Sequence, residues 1–77
     1  MPLFHFHVRE AGEIHHDHEG IELADADAAR SEAVKGARSL LSAAVSAGRL
    51  PLDDAIVVAD AAGVILLELT FGDAVES

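Results

Sequence analysis

The chain contains no cysteine. That excludes a disulfide framework, a thiolate metal site and a cysteine nucleophile. Basic residues are almost as scarce: five Lys and Arg stand against fourteen Asp and Glu, a formal charge of −9 with histidine neutral. Direct nucleic-acid binding needs a positive footprint, which this balance withholds. It suits a soluble surface, a basic protein partner or mimicry of nucleic acid. Long apolar runs are missing too. Runs such as Val64–Leu67 are strand-length and far short of the roughly 18–20 residues of a membrane span. The first residues lack the charged-then-apolar layout of a signal peptide, so a cytoplasmic location is expected. No phosphate-binding glycine loop, nucleophile elbow or His-Glu-x-x-His motif occurs, and no enzymatic activity is expected.

What the chain does have is one long amphipathic stretch, Asp25 to Gly48. Asp25 is a good N-cap, since its carboxylate can accept from an orphaned backbone N–H. Asp27 places negative charge in the first turn. At 100° per residue, Ala26, Ala29, Ala33, Ala37, Leu40, Leu41 and Ala44 share one face, with Val34 and Val45 at its margin. Arg30 projects near that stripe and can reach past the core edge to water or a carboxylate. Gly48 suits the C′ position and Pro51 prevents resumption.

Before the helix, Pro2–Arg9 alternates strictly. Phe4, Phe6 and Val8 face one way; Leu3, His5, His7 and Arg9 face the other. Glu10-Ala11-Gly12 is a turn, Glu13–His16 returns antiparallel, and Ile21–Leu23 is an extended link into the helix. After the helix, Ala55–Asp60 and Val64–Phe71 form a second hairpin around Gly63, leaving residues 72–77 as a loose tail. The expected architecture is a single α+β domain over residues 1–77, β-β-α-β-β. An antiparallel sheet of about four strands carries one long helix on one face. In the last strand Ile65, Leu67, Leu69 and Phe71 are expected on the helix side. Val64 and Leu66, with Val57, then form an apolar patch on the uncovered side, a candidate homodimer interface. Its size predicts a weak dimer.

Five histidines fall within the first eighteen residues. His5 and His7, two apart on a strand, put both imidazoles on one face with Cα atoms about 6.6–6.8 Å apart. His15, His16 and Asp17 lie on the returning segment. Together these five residues are candidate ligands for Zn²⁺, Ni²⁺ or Cu²⁺. The alternatives are a solvent-exposed row of imidazoles, whose titration would shift stability only diffusely, and a pH-sensing role.

Phe6-His7 in the first strand, Asp17-x-x-Gly20 before the helix, and Ala28-Ala29-Arg30-x-Glu32-Ala33 within it resemble a family of small bacterial proteins classed as a domain of unknown function. So do Asp60-Ala61-Ala62-Gly63-Val64-Ile65-Leu66 and Phe71-x-Asp73-Ala74-Val75. The resemblance covers nearly the whole chain and implies no activity, cofactor or catalytic residue. His15, His16 and His18 depart from that family's usual pattern, so it does not imply a metal site. More distantly, the Asp-x-x-Gly turn leading into an Ala/Glu-rich helix is similar to the HicB-type antitoxin fold. Its members commonly carry a separate DNA-binding segment, for which no residues are left over here. The function expected is that of a small acidic, non-catalytic interaction or regulatory module. A histidine-based transition-metal binder is the alternative.

Overall fold

The computed structural model describes residues 1–76. Strand β1 (Leu3–Glu10) is flanked on one side, end to end, by two short strands, β2 (Glu13–His15) and β3 (Ile21–Glu22). Helix α1 (Ala26–Ser46) follows, then β4 (Ala55–Asp60), β5 (Ile65–Thr70) and a short helix α2 (Phe71–Glu76). The sheet is antiparallel in the order β2-β1-β4-β5, with β3 also on β1. The α+β class and the single long helix are therefore as expected. The link at Ile21–Glu22 is a fifth strand, paired Leu3 to Glu22 and Phe4 to Ile21. None of the helices is long and apolar enough to cross a membrane.

Local chemistry sets the ends of α1. Asp25 sits in extended backbone and its carboxylate accepts from the Ala28 N–H at 2.8 Å. At the far end Gly48 takes φ +85°. Its N–H donates to the Val45 carbonyl, and that of Arg49 to the Ala44 carbonyl, the paired closing bonds of a Schellman motif. Ala29, Ala33, Ala37, Leu41 and Ala44 are buried. These small side chains let the helix lie close to the sheet, and a Cβ on Gly36 would stand 3.1 Å from Ile56 Cδ1. So close an approach covers only one narrow row. Leu41 lies on that row at 7% exposure, whereas Leu40, one 100° step away, is 41% exposed. The sequence pattern places both inside; the structure buries Leu41 alone. Phe4, Ile56, Val58, Leu69 and Phe71 complete the core from the sheet side.

Two further expectations are corrected. The tail is not loose over residues 72–76. The Asp73 N–H donates to Thr70 Oγ1 at 3.0 Å and the Thr70 N–H to Asp73 Oδ2 at 3.1 Å, a reciprocal cap that starts a helix. Ala74 is fully buried, and its carbonyl accepts from Arg38 Nε on α1 at 2.9 Å. Phe71 belongs to this helix rather than to the strand. The second correction is at β5, which carries a bulge: Val58 faces Leu67 but Ala59 faces Ile65, leaving Leu66 as an extra residue. An extra residue reverses the alternation beyond it. Ile65 therefore joins the face turned away from α1, and Leu66 leaves it.

Candidate functional site

One side of the sheet is covered by α1; the other is not. The uncovered side carries His5, His7 and Arg9 from β1, opposite Ala59, Val57 and Ala55 of β4, with Ile65 and Glu68 beyond on β5. Val57 is only 4% exposed although no element lies over it. Its longer neighbours account for that, because Arg9 on β1 forms an ion pair across the strand with Glu68 on β5. The apolar floor is thus walled by an imidazole row on one side and Ile65 on the other.

The imidazole row is held by the 16–20 loop, which bridges the gap between β2 and β3. Without it the middle of β1 would have an unpaired edge. Asp17 fills that edge: its carboxylate accepts from the Phe6 N–H at 3.0 Å, and from the Glu19 and Gly20 N–H groups at 3.2 Å each. Its own backbone fixes the two strand histidines. The Asp17 carbonyl accepts from His5 Nδ1 at 2.9 Å, and the Asp17 N–H donates to His7 Nδ1 at 2.9 Å. A carbonyl only accepts and an amide N–H only donates, so the two imidazoles hold opposite tautomers. His5 carries its proton on Nδ1; neutral His7 carries it on Nε2. The rings of His5 and His7 stack with centroids 6.1 Å apart, and His16 meets His7 edge-on at 4.9 Å. His18 continues the chain of rings from His16 at 6.2 Å.

Electrostatics follow this geometry. The Phe6 N–H, followed by those of Gly20 and Glu19, holds the Asp17 carboxyl below the ordinary carboxylate value. Partial burial, then the neighbouring His16 and His5, lower His7 below the ordinary 6.5, with Asp17 opposing. The row is therefore not the uniformly exposed one that would titrate without consequence. A depressed folded pKa means that the unfolded chain binds the proton more readily, so stability is lost as pH falls through the folded value. For His7 the loss begins near 6.5 and extends below it; for Asp17 it begins near 3.8. Protonating all five histidines also changes the formal charge from −9 to −4, a diffuse stabilisation of opposite sign. The expected result is that His7→Asn, which keeps an acceptor near the Nδ1 position, flattens the urea-unfolding stability profile between about pH 6.5 and 5. An unchanged slope in that variant would exclude His7 as its source.

The five candidate metal ligands do not converge. His5, His7 and His16 share the uncovered side, but His15 pairs with Val8, on the helix side, and approaches Glu10 at 4.0 Å. The Asp17 carboxylate is turned inward onto backbone N–H groups. Among the described residues no group of three or more His, Asp or Glu side chains is arranged to hold a metal ion. The patch residues separate as well. Val57 lies in the floor, Val64 is 55% exposed in the turn, and Leu66 faces a cleft beside α1. Ile65, at 66% exposure, is the apolar residue that the uncovered face gains. Its place was hidden in the sequence, because strict alternation assigns it to the helix side and no residue announces the bulge.

No curated protein and no solved structure gives a significant match to this chain. Residues 3–72, nearly the whole sequence, match the family described as Domain of unknown function (DUF6894), and the chain belongs to that family.

Proposed function

We propose that this protein is a small acidic interaction module, without chemistry of its own, whose uncovered sheet face meets a second copy of itself. The observation that supports this reading is the charge of that face. In a chain of −9, Glu68 on this face is tied to Arg9, so the central floor is close to neutral while its histidines are uncharged. Two such chains repel least where these faces meet.

The area sets the strength. Four strands about 4.8 Å apart and about 20 Å long give a footprint of roughly 380 Å². That is about half of the ~800 Å² per partner of a standard stable interface. Burying Ile65 contributes about 1.5–3 kcal/mol in each copy, against an association cost of at least ~4 kcal/mol. The two terms nearly cancel, so the dimer is weak. In sedimentation, Ile65→Glu should abolish it and leave the circular dichroism of the fold unchanged. Leu66→Glu, on the other side of the bulge, should not. A dimer indifferent to Ile65→Glu, or a monomer at high protein and salt concentration, would reject the reading. A basic protein suits the remaining, strongly acidic surface.

Transition-metal binding is the second reading, favoured by the contact between His7 and His16. His5 Nε2 has a free lone pair when neutral, whereas His7 Nε2 carries a proton as long as the Asp17 N–H occupies Nδ1. A site using both would have to break that bond. Zinc, nickel or copper in stoichiometric amount in protein purified without a tag would favour this reading over the first.

A further inference from the structure

The cleft between α1 and the outer side of β5 belongs to neither reading. β5 ends the sheet, so its outer backbone edge has no strand beside it among the described residues. Above that edge the bulge turns Leu66 beside Leu67 toward the first two turns of the helix. Leu66, Leu67, Val58, Ala26, Ala29 and Arg30 line a cavity of about 200 Å³ there. Alanines on the helix wall leave the room, and Val58, otherwise buried, forms the bottom. Asp27 also borders it. A second groove continues from Arg30 along the helix past Val34, Lys35 and Arg38, with no carboxylate in its lining. Three of the five basic residues of a −9 chain therefore line these two adjoining hollows, which share Arg30 and together form a shallow channel along the helix. Lys35 lies 3.7 Å from Glu32 and Arg38 bonds the α2 carbonyl at Ala74. Arg30 has no carboxylate within ion-pairing distance among the described residues.

We infer that this channel binds an extended acidic segment of another protein, added as a strand along β5. An aliphatic side chain would fill the cavity and a carboxylate would meet Arg30. Main-chain pairing at an open edge supplies affinity, and pockets for alternate side chains supply selectivity. Charge decides the occupant. A second copy joined here about a two-fold axis would bring two Arg30–Lys35–Arg38 rows toward one groove, a like-charge juxtaposition. An acidic segment instead meets three cations within the ~8 Å over which charges act at physiological salt, where Asp27 and Glu32 offset them only in part.

The test uses two capped, fluorescein-labelled hexapeptides, one alternating glutamate with leucine and one alternating lysine with leucine. It is run by fluorescence anisotropy on the full chain and on the Ile65→Glu variant. The acidic peptide should bind to both, and at least about tenfold more tightly than the lysine peptide. Arg30→Glu should weaken it by about tenfold or more. The same reversal at Arg49, which borders a different cavity with Glu10 and Asp54, should have a much smaller effect. Leu66→Ser, which removes one wall of the cavity, should also weaken binding and so gives a second reading independent of charge. Equal binding of the two peptides, equal losses from the Arg30 and Arg49 reversals, or no binding at about millimolar peptide would overturn the inference. Because the Ile65→Glu chain is included, failure here is separable from failure of self-association.

Discussion

Leu41→Ala is expected to destabilise the protein by about 2–5 kcal/mol, and Leu40→Ala by less than about 1 kcal/mol. The two residues are adjacent, chemically identical and equally suited to a helix, so propensity cancels from the comparison. They differ in burial alone: 7% exposure for Leu41 against 41% for Leu40. Truncating Leu41 opens a void in a core where it is the one large side chain among the buried positions of α1, the others being alanine. A chain of this size has a total stability of roughly 4–12 kcal/mol, so the Leu41 variant loses a large fraction of it and Leu40→Ala stays folded. Urea unfolding of the two variants in parallel measures the difference. Equal losses would mean that the helix is rotated by about one residue from the position described, and the Ala29–Ala33–Ala37 row with it.

The contrast shows how far hydrophobic periodicity reaches. It locates a helix and the direction of its apolar face, and here it found α1 to within a residue at each end, because Asp25 and Gly48 are chemical signals of termination. It does not fix how wide an arc the partner surface will cover. That width depends on how closely the helix approaches, which alanine and Gly36 decide only once the sheet is in place. The same limit applies at β5. Alternation identifies the strand, but a bulge inserts one residue without a compositional mark, and the assignments of Leu66 and Ile65, before Leu67, change side. Val64, Leu66 and Val57, grouped by pattern into one patch, consequently lie in a turn, a cleft and a floor. α2 escapes the pattern for another reason: six residues are too few for a periodic pattern to emerge.

The histidines show a further limit. Sequence spacing correctly put His5 and His7 on one face, and the Asp17-x-x-Gly20 turn was visible beside them. What spacing cannot express is that Asp17 acts with its backbone as well as its carboxylate, binding one imidazole through its C=O and the other through its N–H. A motif that reads as a collection of ligands is thereby a device for completing a sheet edge. This explains why histidine is tolerated inside β1: each ring has a fixed partner, and none of the described residues leaves a buried side-chain polar atom unsatisfied.

Gly20→Ala is expected to have the other large effect, a loss of about 2–3 kcal/mol, because two separate penalties meet at that residue. Gly20 has φ +76°, a conformation that places an added Cβ too close to its own backbone, at about 1–2 kcal/mol. In addition, that Cβ would stand 2.9 Å from the carbonyl oxygen of Phe4 and 3.0 Å from Leu3 Cδ1. The leucine can turn away, but the carbonyl belongs to β1, where β3 pairs with it, and can yield only by opening the edge. Gly12→Ala separates the two contributions. Gly12 has φ +83° with nothing within 4 Å of the added carbon, so it should show the backbone penalty alone, about 1–2 kcal/mol. The excess at Gly20 should also have a local signature. If β3 is pushed off β1, the loop that carries Asp17 loosens, and the Phe6 and Asp17 amide protons should exchange faster, relative to global unfolding, than in Gly12→Ala. The His7 resonance should then titrate nearer the ordinary histidine value of 6.5, since the burial and neighbouring imidazoles that depress it depend on that loop. Equal losses for the two variants, with the His7 titration unmoved, would show that the Asp17-x-x-Gly20 turn is not what holds the imidazole row in place.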